Sequence, residues 1–183
     1  ADLVSRLNAA SGDDTWAFVP LPDALLAVDR DVIRNAIIYR QGVVAPVGEP
    51  VGLVDETVWF NAREPIAQTF VKDGDRFTVI ANHFKSKSDS VPPQTGNDNE
   101  DIGDGQGAFN GDRTRQAASL ASFAEQLRGS SGDDDVLIMG DINAYTEEDP
   151  IQLLRGAGFT DLGSTLDEGR YSFVFNALSG SLD

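Results

Sequence analysis

Cysteine is missing from this chain of 183 residues, so disulfides and thiolate zinc sites are excluded. Histidine occurs once, at position 83, and methionine once, at position 139. A site built on two or more imidazoles from these residues alone is therefore ruled out. Basic residues are scarce: 14 Lys and Arg stand against 30 Asp and Glu, a formal net charge of −16. Such a balance argues against a simple DNA-binding module, because affinity for a phosphate backbone normally comes from Lys and Arg. It argues less against an enzyme that meets phosphate through a divalent cation, since carboxylates are hard oxygen ligands. Most of the acids read as a solubility or salt adaptation. No apolar run approaches the roughly 20 residues of a membrane span, so no membrane partner is expected. Position 1 is not Met, and no charged start leads into an apolar core as in a signal peptide.

What is present is an ordered alternation of strands and helices. Residues 1–10 have helical spacing in Leu3, Val4 and Leu7. The run Ala36-Ile37-Ile38-Tyr39 reads as a buried strand, and residues 41–56 as loop or short edge strands. Lys72-Asp73-Gly74-Asp75, between two β-rich arms, reads as a hairpin whose second arm delivers Asn82 and His83. Residues 88–112 are polar, Gly-rich and acidic, and read as a solvated loop without the spacing of an EF-hand. A helix is expected from Arg113 to about Arg128, with Ala117, Leu120, Ala121, Ala124 and Leu127 on its apolar face, Asp112 or Asn110 at its start and Gly129 at its end. Val136 to Met139 reads as a central strand covered on both faces, and Pro150 as the first turn of a short helix. The residues up to Asp183 read as another strand and a turn. The first and last segments look cut from a longer chain.

Two places carry candidate chemistry. Gly140-Asp141-Ile142-Asn143 follows a strand, and side chains two apart on extended chain face the same way. Asp141 and Asn143 could thus hold a metal ion or water and orient a phosphate oxygen. On the residues alone, the same tetrapeptide serves equally as a turn whose Asp and Asn cap backbone groups. His83 suits proton transfer near neutral pH, with Lys85 and Lys87 close behind it. Taken singly, a lone histidine reads more readily as structural.

Five segments in order change that balance: DVIRNAIIYR (31–40), NAREPIAQTF (61–70), VIANHFKSK (79–87), DGQGAFNGDRTRQAASL (104–120) and VLIMGDINAYTEEDPIQLL (136–154), followed by YSFVFNALSGSLD. Together they resemble the endonuclease/exonuclease/phosphatase superfamily, the secreted bacterial nuclease branch above all. The resemblance implies an α/β fold: a two-sheet, four-layer sandwich of mainly antiparallel strands with outer helices, a single domain over 1–183 that is incomplete at both ends. It implies a metal-dependent phosphodiester hydrolase, an extracellular endonuclease acting on DNA ahead of RNA by in-line attack of water. His83 falls on the catalytic histidine, Asp141 on the carboxylate that positions or activates water near the metal, and Asn143 on the amide that orients phosphate or water. Arg63 matches a position that contacts phosphate or braces the site, Lys85 is a phosphate contact by its neighbourhood, and Asp183 matches an acidic residue that positions catalytic groups. The metal, Mg2+, Mn2+ or Ca2+, would be met by Asp141 and Asn143. The family's metal-binding Glu and its closing Asp-His pair match nothing in these residues, so the segment alone is expected to be inactive or nearly so. Two alternatives stand beside this: a phospholipid or inositol-phosphate phosphodiesterase of the same superfamily, and a non-catalytic module.

Overall fold

The computed structural model describes residues 2–13, 15–28, 33–88, 92–166, 171–175 and 178–182. Asp183 lies outside them. The chain divides into two compact units: Ala1–Asp55 with Arg63–Asn82 and Ala124–Met139, and Glu56–Ala62 with His83–Phe123 and Gly140–Asp183.

In the first unit, helix α1 (Asp2–Ser11) is joined to strand β1 (Trp16–Phe18) by Asn8. Its side chain donates to the Trp16 carbonyl at 3.0 Å and accepts from the Trp16 amide at 2.8 Å. β1 pairs antiparallel with β2 (Ile38–Arg40). Here the expected buried strand is only half right: Ile37 is buried but Ile38 is exposed, because a two-stranded ribbon turns alternate residues to solvent. Leu25 of helix α2 (Asp23–Val28) completes a core with Val19, Ile37, Ile66 and Phe70. Gly52 is required there, since an added Cβ would stand 2.3 Å from Leu25 Cγ.

A four-stranded sheet has the order β3 (Ala45–Gly52), β4 (Arg63–Lys72), β5 (Asp75–His83), β6 (Val136–Asp141). β3 and β4 are antiparallel, with a register irregularity between Val47 and Val51. The expected hairpin joins β4 to β5 through Asp73 and Gly74, both in the left-handed region (φ 53° and 99°), as a tight two-residue turn demands. β6 runs parallel to β5: Thr78 donates to the Asp135 carbonyl and Phe84 to that of Asp141, so both strands advance by the same number of residues. Among the described residues β6 has one neighbour, and Leu137 and Met139 are exposed. The reading of this strand as covered on both faces is thereby corrected: its apolar run suited a central strand, but Leu137 and Met139 are 39% and 56% exposed.

Helix α3 (Asn110–Ser131) separates β5 from β6 in sequence. It is longer than expected at both ends. Asp112 lies inside its first turn rather than capping it, and the helix continues through Gly129 to Gly132, whose φ of 69° makes the exit. In the second unit, Trp59 is fully buried, edge-on to Phe84 at 5.5 Å, with its indole N–H donating to Ser119. Helix α4 (Asp149–Gly156) carries Pro150 in its first turn, as expected. Helix α5 (Leu162–Leu166) follows, and β7 (Phe173–Phe175) and β8 (Leu178–Gly180) form an antiparallel pair. The described part of the acidic loop is not wholly solvated. Asn99 accepts from the Asp112 amide, and Asp98 pairs with Arg115 and sits where a Cβ on Gly111 would be.

Candidate active site

His83 is the last residue of β5 and Asp141 the last of β6. Neighbouring parallel strands end side by side, and the carboxyl ends of such strands are where α/β sheets place ligands. His83 Nε2 lies 3.8 Å from Asp141 Oδ2, and the two side chains are 31% and 37% exposed. That separation exceeds a hydrogen bond but is within ion-pair range once the imidazole is protonated. Solvent, and hence a substrate, can reach both groups.

A tight turn fixes the pair. Asp141 Oδ1 accepts the Asn143 amide at 2.8 Å, and Asn143 is left-handed (φ 53°), a conformation that Asn tolerates. Gly140, with φ 123°, starts the departure from the strand. Asn143 Nδ2 donates to the Phe84 carbonyl at 3.1 Å, and the Phe84 amide donates to the Asp141 carbonyl at 2.9 Å. Asp141 and Asn143 are therefore brought together by the turn. Strand alternation, the expected reason, does not apply, because the strand has ended at Asp141.

The other expected residues stand as follows. Lys85 is buried; its ammonium lies 4.1 Å from the centre of the Phe109 ring and donates to the Ser86 and Ser88 carbonyls. A phosphate would compete with those contacts for it. Lys87 pairs with Glu148 and lies over the Tyr145 ring at 4.4 Å. Arg63 opens β4 in the first unit, where its carbonyl accepts from Asn35. Asp183 lies outside the described residues.

Arg113, Gln116 and Glu148, to which the sequence reading gives no role, form a buried polar network in the second unit with Asp112, expected only at the start of the helix. Arg113 and Gln116 are wholly buried, and Asp112 and Glu148 nearly so. Arg113 donates to the carbonyls of Ala108 (2.7 Å) and Gln106 (2.9 Å), and its Nη2 is 3.9 Å from Glu148. Burial pushes the Arg113 guanidinium below its ordinary value, with attraction to Glu148 and Asp112 opposing. For Asp112, burial acts to raise the carboxyl, but hydrogen bonds from Arg115, Asn61 and Asn99 outweigh it and hold it below the usual carboxylate value. The signal was available: Arg113 and Gln116 share the helical stripe of Ala117, Leu120, Ala124 and Leu127, where a polar side chain must have buried partners.

No group of three or more His, Asp or Glu side chains able to hold a metal ion occurs among the described residues. Asp141 is the one carboxylate of that turn and is part-exposed; a hard oxygen donor of this kind suits a magnesium-like ion, which binds through one or two carboxylates and keeps several waters.

No protein-family description matches the chain, and no curated protein matches it in sequence. Solved structures do match it in fold. The human Nocturnin catalytic domain with bound sulfate superposes with a TM-score of 0.55 at 18% identity, covering 92% of this chain and 56% of that one. A humanised D. rerio TDP2 gives 0.55 at 15% identity, covering 99% and 72%. D. rerio TDP2 complexed with a single-strand DNA product gives 0.50 at 11% identity, covering 99% and 73%. The chain thus spans little more than half of the Nocturnin domain. Its mixed α/β architecture of mainly antiparallel strands and helices is the fold that these structures share with it.

Proposed function

We propose that this chain is part of a metal-dependent phosphodiester hydrolase whose substrate is nucleic acid, DNA ahead of RNA. The observation that carries the reading is the accessible His83–Asp141 pair, 3.8 Å apart where two parallel strands end. The ordered motifs at 61–70, 79–87, 104–120 and 136–154 add to it, as does the DNA product held by one protein of the same fold. The same motifs underlie the expectation of an exported enzyme.

In this reading Asp141 orients the attacking water and takes up its proton. His83 hydrogen-bonds a non-bridging oxygen of the scissile phosphate and delivers a proton to the departing oxygen. Asn143 holds the phosphate or the water in line. Arg63 and Lys85 are assigned to phosphate, and Asp183 to positioning. A divalent ion at Asp141 and Asn143, Mg2+ with Mn2+ or Ca2+ as substitutes, supplies charge stabilisation on the phosphoryl oxygens when bound. Because these residues offer so few metal ligands, the 183 residues alone are expected to turn over little or not at all; full metal-dependent turnover by them would remove that part.

The test is cleavage of plasmid DNA, RNA and phospholipid by the full-length protein, with and without chelator, beside His83→Ala and Asp141→Ala. We expect nucleic acid to be cut only with metal, and neither variant to cut it. Cleavage of phospholipid alone would move the activity to a lipid phosphodiesterase. Retained cleavage by either variant would remove its assignment, and no cleavage of any substrate would favour a binding module.

A further inference from the structure

Residues 84 and 85 follow His83 directly and lie past the end of β5; the Phe84 amide makes the last bond to β6, and beyond it no strand holds their peptide groups. All four of those groups are nonetheless partnered within the second unit. The Phe84 amide and carbonyl are bound by the Asp141–Asn143 turn, at 2.9 and 3.1 Å. The Lys85 amide donates to Gln116 Oε1 at 2.9 Å, and the Lys85 carbonyl receives a longer contact from Arg113 Nη1 at 3.5 Å. Gln116 is itself held from the other side, donating through Nε2 to the Val58 carbonyl and to Asn61 Oδ1, both at 3.3 Å. Neither Gln116 nor Arg113 exposes any surface. Both polar atoms of the Gln116 side chain are bonded, as are the two terminal nitrogens of Arg113, although its Nε is not; bonded buried groups fix geometry, and losing such a bond is costly.

We propose that Gln116, backed by Arg113, is a positioning residue for the His83–Asp141 pair. α3 takes over where the β5 ladder stops and keeps the His83 backbone from swinging away from Asp141. Gln116 acts through the Lys85 peptide. The proposal rests on the nuclease reading for what the pair does, but its geometry can be read separately.

Gln116→Met keeps size and removes the acceptor, whereas Gln116→Glu keeps an oxygen for the Lys85 amide. His83 is the only histidine of the 183 residues, so histidine labelled with 13C in this chain gives one ring signal. In the unaltered chain we expect one sharp signal and a slowly exchanging Lys85 amide. In Gln116→Met the ring signal should broaden or split, and in the full-length enzyme kcat on DNA should fall by tenfold or more with KM within twofold. Gln116→Glu should recover the single signal and most of kcat. A Gln116→Met protein that loses stability but keeps the sharp ring signal and kcat would overturn the proposal, leaving Gln116 a core residue only. Should Gln116→Met fail to fold, the exchange arm decides: fast exchange of the Lys85 amide in the unaltered chain overturns the proposal, and slow exchange with recovery in Gln116→Glu supports it. If the protein hydrolyses no phosphodiester, the function above falls, while the ring signal and the amide still decide whether Gln116 positions the pair.

Discussion

The two units of this chain are held by different physics. The first has a core of Val19, Leu25, Ile37, Ile66 and Phe70, with Phe70 in contact with the Tyr39 and Phe77 rings. Beside this core runs a sheet bonded by its own ladder and, at the Val47, Thr69 and Met139 carbonyls, by the neutral side chains of buried Gln68 and Asn82. The second has apolar anchors too, Trp59 and Phe84 chief among them, but it also buries Arg113, Gln116, Asp112, Glu148 and Lys85. Those polar groups bind main chain between regular elements: Gln106, Ala108, Lys85, Ser86. Apolar burial is non-directional and contributes stability, whereas a hydrogen-bonded buried charge contributes little net stability and much geometry. The candidate chemistry falls in the unit that spends buried charge on loops, and His83 and Asp141 are themselves partly open to solvent.

The largest expected effects are on turnover. Removing His83 or Asp141 should lower kcat of the full-length enzyme by about 100- to 10,000-fold, the usual contribution of a positioned proton-transfer group. Because both side chains are part-exposed, urea unfolding of either variant should stay within about 1 kcal/mol of the parent. A large loss of stability in either would break the comparison, since the pair would then be holding the fold.

Next come two substitutions that should separate the units. Phe70→Ala empties a site in the apolar core and should cost about 3–5 kcal/mol in denaturant unfolding, with kcat unchanged at temperatures where the protein stays folded. Arg113→Met should cost about 3 kcal/mol, because Glu148 loses its buried cationic partner, keeping only the part-exposed Lys87, and the Gln106 and Ala108 carbonyls lose their donor. Unlike Phe70→Ala, it should also lower kcat. Equal effects on kcat from the two variants would erase the distinction.

How much of this was legible beforehand follows the same divide. The hairpin at Asp73-Gly74, helix α1, the Pro150 helix and the strand that delivers His83 were readable because turn residues and periodicity act locally. The exposure of Leu137 and Met139 was not, since an apolar run says nothing of how many neighbours a strand has. The end of α3 was misplaced by three residues because Gly129 is tolerated within a helix, while Gly132 occupies the left-handed exit. In the candidate site, the residue types at 83, 141 and 143 were legible, but not the turn that joins them. Arg113 and Gln116 stand on the apolar stripe of α3, but their partners, far away in sequence, are not readable from it: Glu148 for one, Val58 and Asn61 for the other.

The smallest effect concerns Asp112 and tests whether the buried network contributes stability at all. Its carboxyl is held below the ordinary value of 3.8, burial notwithstanding, by its hydrogen bonds and its attraction to Arg115. Since the folded carboxyl binds a proton less readily than the unfolded one, its contribution is complete above the unfolded value and is lost as pH falls through the folded value. Arg115 is half exposed, so solvent screens part of that attraction and keeps the contribution modest. Unfolding free energies followed from about pH 6 down to about pH 2.5 should therefore fall more steeply in the parent than in Asp112→Asn, and the two curves should draw together at the acid end. The gap at neutral pH should be well below the cost of Phe70→Ala. Parallel curves would mean that the Asp112 carboxylate gains nothing from its partners on folding, and the second unit would then owe its stability, like the first, to apolar burial, with the polar network serving geometry alone.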